Sequence, residues 1–287
     1  MYYLYENKTS TTMRFLSILI TTLLSLYLVA FATSCEKETP APPKDDVEQP
    51  ENKDDVVPED AVPTVAIVPI AVDNNSITVG IESTNATELK WICFVAHTNS
   101  IREHRVLEEG ITAEPNKSFE LDIDELHAGT SYEICAVARN RDNDPVMSDI
   151  IVVQTLRPEL KATYVMDATT TVTSYINTVD GLHNEYLSFY DSKNDYSLFI
   201  DLYTDASNSF LPSGEYPLAP LAAGVSYEQY SYFMPDLTAE LIYFSEGSTT
   251  ITAIDGNLAI YYIVDAHFTL TTGESVALYY SGIVATK

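Results

Sequence analysis

The chain is poor in cysteine, in glycine and in basic residues. Three cysteines among 287 residues, at 35, 93 and 135, cannot staple a small scaffold, so the fold must rest on a hydrophobic core. Ten glycines build no phosphate-cradling loop, and no G-x-S-x-G elbow is present. The five histidines (97, 104, 127, 183 and 267) stand apart, without H-x-H or H-E-x-x-H spacing, so no metal site is read and no cofactor is expected. Carboxylates are plentiful, which is weak support for a placed glycosidase pair. The sequence therefore offers no catalytic residues and is not read as an enzyme.

Fifteen Lys and Arg face 42 Asp and Glu, a net charge of −27. Residues 1–35 carry +1, 36–62 carry −7, 63–159 carry −9 and 160–287 carry −12. No segment of the body keeps a basic face to neutralise phosphates, which excludes nucleic acid as a partner. The acidity is read as a soluble surface that resists self-association.

One long apolar run does occur. Residues 15–32, FLSILITTLLSLYLVAFA, follow Met13 and Arg14 and end in the small residues of ATSC. A basic start, an apolar stretch and small residues make a secretory signal. A transmembrane helix is the competing reading, since the run is near the minimum length for a bilayer. The segment before Met13 contains Glu6 and three tyrosines, an unusual signal start, so translation is expected to begin at Met13.

FATSC, residues 31–35, resembles a bacterial lipobox, with Phe31 where leucine is commoner. The resemblance implies cleavage before Cys35, a diacylglyceryl thioether on its sulfur and acylation of its new amino group. Several acyl chains anchor far more firmly than one. An uncleaved anchor and ordinary secretory cleavage are the alternatives. The membrane is thus an expected partner, through lipid on Cys35.

Residues 36–62 hold ten acids, five prolines and no aromatic residue. Such a stretch cannot repay its ordering entropy and is expected to be a disordered tether. Acidic stretches behind the lipidated cysteine resemble those of Bacteroidota-type surface lipoproteins. That resemblance implies an outer-membrane protein displayed on the cell exterior.

Residues 63–158 read as short alternating strands without a helical pattern, in SITVGIES, LKWICFVA, KSFELDI, YEICAVARN and DIIVVQTL, with Trp91 buried. A β-sandwich is expected. Within ELHAGTSYEICAVARNRDNDPVMSDIIVVQTL, residues 125–156, Leu126, Gly129 and Thr130 lead into Tyr132. Ala136, Ala138 and Asn140 follow, and Thr155 closes the stretch. This resembles the E–F–G region of a fibronectin type III domain, with Tyr132 at the tyrosine corner. The strand-B tryptophan of that family is missing, and Trp91 stands in strand C instead. The resemblance implies a spacer or protein-contact module, and it puts Cys93 and Cys135 on neighbouring strands C and F. A cross-strand disulfide between them is one outcome; two free thiols are the other, favoured by the poor disulfide geometry of directly paired strands.

Residues 159–287 carry 15 of the 20 tyrosines. In NLAIYYIVDAHFTLT, Leu258, Ile260, Tyr262, Val264, Ala266, Phe268 and Leu270 alternate with Tyr261, Asp265 and His267. The TTGE turn joins this strand to SVALYYSGIVAT as a hairpin. Further strands are expected in TYVMDATTTVTSYI, EYLSFYD, YSLFIDLY, AELIYFS and STTITAI, with turns at DGL, LPSGEYPL and IDGN. The expected architecture is all-β, an antiparallel sandwich or flattened barrel. The wording from LPSGEYPL onward resembles a C-terminal β-domain of the same surface lipoproteins, one with no known catalytic residues.

Asp191, Asn194 and Asp195, and Asp201, Asp205 and Asn208, offer oxygen ligands, but without EF-hand spacing; Asx turns explain them more simply. YEQYSYF, residues 227–233, places Tyr227, Tyr230, Tyr232 and Phe233 within seven positions, a poor fit to core alternation. Exposed rings stack on sugars or anchor proteins; tyrosines lining cross-strand pairs are the bland explanation. The functional expectation is a non-catalytic binding module for glycan or host matrix protein. The alternative is a structural or assembly component of a surface complex. An enzyme acting on polysaccharide comes last.

Overall fold

The computed structural model describes residues 61–141, 144–167, 170–236 and 240–286. The expected signal, tether and lipidated Cys35 lie outside them. The described residues are nearly all β, as expected, and belong to one compact unit.

The first part runs β1 (Thr64–Val72), β2 (Ile77–Thr84), β3 (Glu88–Val95), α1 (Glu103–Glu109) and β4 (Ile111–Ala113). It continues with β5 (Ser118–Ile123), β6 (Ser131–Arg139), β7 (Val146–Met147) and β8 (Ile151–Gln154). Strands β1, β2 and β5 form one sheet; β4, β3, β6 and β7 form the other, with β8 also on β6. Alternation drives the packing. Ile77, Val79 and Ile81 point from β2 into the space between the sheets, where Leu89, Trp91, Tyr132 and Ile134 meet them. The opposite face of β6 is also covered, because α1 brings Val106 over Ile92, Cys135 and Val137. Helix α1 was not expected. Its two turns bury a single residue, Val106, so no helical period shows in the sequence.

The second part runs β9 (Tyr164–Met166), β10 (Thr170–Val179), β11 (Leu182–Asp191), β12 (Tyr196–Asp205), β13 (Gly214–Ala219) and β14 (Val225–Tyr227). It ends with β15 (Tyr232–Met234), β16 (Ile242–Asp255), β17 (Ile260–Leu270), β18 (Ser275–Gly282) and β19 (Ala285–Thr286). Neighbouring strands run in the order β19-β10-β11-β12-β14-β13-β16-β17-β18-β9, and β15 bridges β12 and β16. β9 pairs in parallel with β18, and β19 in parallel with β10. Because β9 leads into β10 and β18 into β19, these pairings bring the two ends of the sheet together as a flattened barrel. Leu187, Phe189, Leu198, Ile200, Val264 and Phe268 are among the side chains that fill it.

Local chemistry explains the bends. Asp180 and Gly181, at φ 50° and 79°, supply the left-handed turn that joins β10 to β11. The two strands expected in AELIYFS and STTITAI are one strand, β16, with a register shift between Phe244 and Glu246. Gly247 follows at φ +133°. A Cβ there would lie 2.2 Å from the His267 carbonyl oxygen, so only glycine lets β17 approach. LPSGEYPL is not all turn: from Gly214 onward it is β13, paired to β16 with Tyr216 in the core.

The outward face of β17 is not free. Tyr261 and Ile263 join the sandwich core, with Ile254 and Tyr279 beside them. Leu258, expected on the barrel side, is exposed, yet its N–H donates to the Thr98 carbonyl oxygen at 2.8 Å.

Candidate functional site

The short strand β15 organises the aromatic segment. It lies between β12 and β16 with Tyr232 opposite Phe199 on one side and Tyr243 on the other. Residues directly opposite in a ladder share a face, so the three rings form a row outside the barrel. Centroids are 4.7 Å apart for Phe199–Tyr232 and 6.2 Å for Tyr232–Tyr243. Tyr186 extends the row from β11, its ring 5.9 Å from Phe199 and its hydroxyl 3.1 Å from that of Tyr232.

A second group stands further along β12. Tyr203 meets Tyr227 edge-on at 5.7 Å, and Tyr227 meets Tyr230 at 5.5 Å. Tyr230 is 58% exposed and Tyr243 42% exposed; Tyr186, Phe199, Tyr227 and Tyr232 are half-buried. Between the groups Asp201 is buried and accepts the Asn184 amide at 2.6 Å. Burial pushes its carboxyl above the ordinary value, against the hydrogen bonds from Asn184 and Tyr203. Burial also raises the phenols of Tyr186 and Tyr203. The surface is thus a platform of rings in which Tyr230 and Tyr243 are the most exposed and the Tyr186 and Tyr232 hydroxyls bond each other, suited to stacking.

Three of the four expected site residues belong to this surface. Phe233 does not: opposite Leu198, it points into the barrel, is 0% exposed and packs against Tyr164 and Tyr196. It is a core residue because successive strand residues alternate faces. Tyr186, Phe199, Tyr203 and Tyr243 were missed, although each sits on the polar side of an alternating strand.

Cys93 and Cys135 are free, and no disulfide joins them. Cys93 is opposite Ile134, and Cys135 opposite Ile92, so one thiol enters the inter-sheet core while the other lies under α1. Burial pushes the Cys93 thiol up to about 12 and the Cys135 thiol up to about 11.

Asp191 closes a turn. Its carboxylate accepts the N–H groups of Lys193, Asn194 and Asp167 at 3.0–3.2 Å and the Asn194 amide at 2.8 Å. Burial alone would raise it, but these donors hold it below its ordinary value. Among the described residues no group of three or more His, Cys, Asp or Glu is placed to hold a metal ion. No protein-family model matches the chain, and no curated protein matches it.

Proposed function

We propose that the protein is a surface lipoprotein, anchored through Cys35 in the outer membrane and facing the cell exterior, whose barrel is a non-catalytic binding module for a glycan or matrix protein. The observation that carries this reading is the row Tyr186–Phe199–Tyr232–Tyr243 with Tyr227 and Tyr230 beside it. Cross-strand ring pairs stabilise the sheet modestly; rings left accessible at one face, with Tyr230 and Tyr243 the most exposed, also anchor ligands. The sandwich is read as a fibronectin type III-like module. What supports that is its three-stranded sheet facing a second sheet centred on β3 and β6, and the Tyr132 hydroxyl accepting the His127 N–H at 2.8 Å, as at a tyrosine corner.

The alternative, a structural or assembly component, is favoured by β1. This edge strand leaves Val68 and Ile70 about half exposed, a template for pairing with another chain.

The test is an array of neutral and acidic glycans and matrix proteins, probed with wild type, Tyr230→Ala and Tyr243→Ala. Loss of a ring should weaken a ligand roughly tenfold or more, about 1–3 kcal/mol. An array silent for wild type ends the binding-module reading.

A further inference from the structure

In a chain of net charge −27, one pocket is lined by cations. It has a volume of about 240 Å³ and lies where the sandwich meets the barrel, with Ser100, Arg102, His104, Arg105 and Asn257 on its wall. Elsewhere in the sandwich, Lys90, Lys117, Arg139 and Arg157 each have a carboxylate partner. Arg102 and His104 are exposed, and among the described residues neither side chain makes a hydrogen bond or ion pair.

Arg105 is held in advance. Its Nε donates to Glu109 at 2.9 Å, and its Nη1 to Asn99 Oδ1 at 3.2 Å and the Ser100 carbonyl oxygen at 3.3 Å. Its guanidinium lies 4.5 Å over the Phe94 ring. With Nε and Nη1 committed, Nη2 is the nitrogen left to donate to a carboxylate or sulfate, and a guanidinium already held in place loses less freedom in doing so. Glu109 offsets one charge, which leaves Arg102 in excess.

The wall is as rigid as the junction itself. Ser100 N–H donates to Asn257 Oδ1 at 3.1 Å, and Asn257 N–H to Asn99 Oδ1 at 3.3 Å. A Cβ on Gly256 would lie 2.4 Å from the Thr98 carbonyl oxygen, so the barrel turn sits directly on the sandwich loop. The barrel contributes Asn257 to the wall and the sandwich the other four lining residues. Two guanidinium groups, an imidazole, a hydroxyl and an amide form a donor-rich lining, the chemistry of an anion site. The volume falls below the roughly 300–1,000 Å³ of sites for drug-sized ligands, which suits one acidic residue of a longer chain. The acidic body repels anions at a distance, but at physiological salt that field fades within about 8 Å, so the uncompensated Arg102 and the fixed donors around it decide.

We infer that this junction pocket binds the carboxylate or sulfate of an acidic saccharide residue. The saccharide rests on the glycan reading above; the acidic group rests on the pocket. Calorimetry on the full mature chain tests it with four probes: a uronic-acid trisaccharide, a sulfated disaccharide, a neutral trisaccharide and inorganic sulfate. The uronate and sulfated arms separate the two sources of negative charge. Arg102→Gln should weaken at least one acidic sugar tenfold or more at unchanged melting temperature. Sulfate should compete for the same site. Equal binding of neutral and acidic sugars, no binding of either acidic sugar, or indifference to Arg102→Gln overturns the inference. Acidic binding lost in Tyr230→Ala but kept in Arg102→Gln also overturns it, while leaving the aromatic platform standing.

Discussion

Tyr279 in β18 donates its hydroxyl to the carbonyl oxygen of Ala128, 2.8 Å away in the sandwich. Ser281, on the same strand, donates to the Gly129 carbonyl, and Tyr261 and Ile263 bury their side chains in the sandwich core. The barrel therefore supplies part of the sandwich's interior. Trp91, the sole tryptophan, reports on the sandwich, whereas the tyrosine-rich barrel dominates the tyrosine signal. Ile263→Ala should cost about 2–5 kcal/mol, the range for buried Ile truncation. Urea melts followed by Trp91 fluorescence and by tyrosine absorbance should shift together. Non-coincident transitions would mean the two parts fold independently.

Neighbours in sequence should differ sharply within 227–233. Phe233→Ala opens a cavity in the barrel and should cost about 3–5 kcal/mol. Tyr230→Ala removes an exposed ring and should stay within about 0.5 kcal/mol. Thermal melts of both variants read the difference; equal losses would place Tyr230 in the core.

The strands were legible because alternation survives wherever one face is wet, as in β2 with Ile77, Val79 and Ile81. What failed was long-range information. β13 and β15 were missed because Tyr216 and Tyr232–Phe233 sit in segments rich in turn residues, and their pairing partners are remote: β16 for both, and β12 for β15. The same limit hid the aromatic row, whose members come from four strands. Density of rings in 227–233 located the surface, but period-2 alternation within that window was needed to remove Phe233. The separation of Cys93 from Cys135 turned on a one-residue register that no spacing rule supplies.

Stability should fall at alkaline pH. Burial pushes Cys93, Tyr132, Tyr262 and Tyr279 up to about 12 and Cys135 to about 11. Each is raised above its unfolded value, so its contribution is fully present below the unfolded pKa and is lost as pH climbs toward the folded one. The unfolded chain releases these protons first, at roughly pH 8.5 for thiols and 10 for phenols. Each group then steepens the loss by up to about 1.4 kcal/mol per pH unit. Urea midpoints from pH 7 to 11 should be flat to about pH 8.5 and fall thereafter. A flat profile to pH 11 contradicts the burial of these groups. Thiol reagents at pH 8 should leave both cysteines unmodified until the protein unfolds.

Cys35→Ala should abolish incorporation of a labelled fatty acid and leave the chain unprocessed or released, because the thioether needs the sulfur. Undiminished labelling in the variant would remove the lipid anchor from the proposed function.

Two threonines should respond to the same substitution with opposite sign. Thr204 is buried in β12 opposite His183, and its hydroxyl has no hydrogen-bond partner among the described residues. Thr155 is equally buried, but its hydroxyl donates to the His127 carbonyl oxygen at 2.6 Å and accepts the Thr130 N–H at 2.9 Å. Valine has nearly the shape of threonine and exchanges hydroxyl for methyl. At 204 the exchange removes a desolvated group that gains nothing in return, so Thr204→Val should stabilise by about 1 kcal/mol or more. At 155 it strands a buried N–H and a carbonyl, so Thr155→Val should destabilise by about 1–3 kcal/mol. Denaturant midpoints of the two variants, measured in one buffer, decide the matter. A loss of stability in Thr204→Val would reveal a partner for its hydroxyl, a bound water in the barrel mouth being the first to look for.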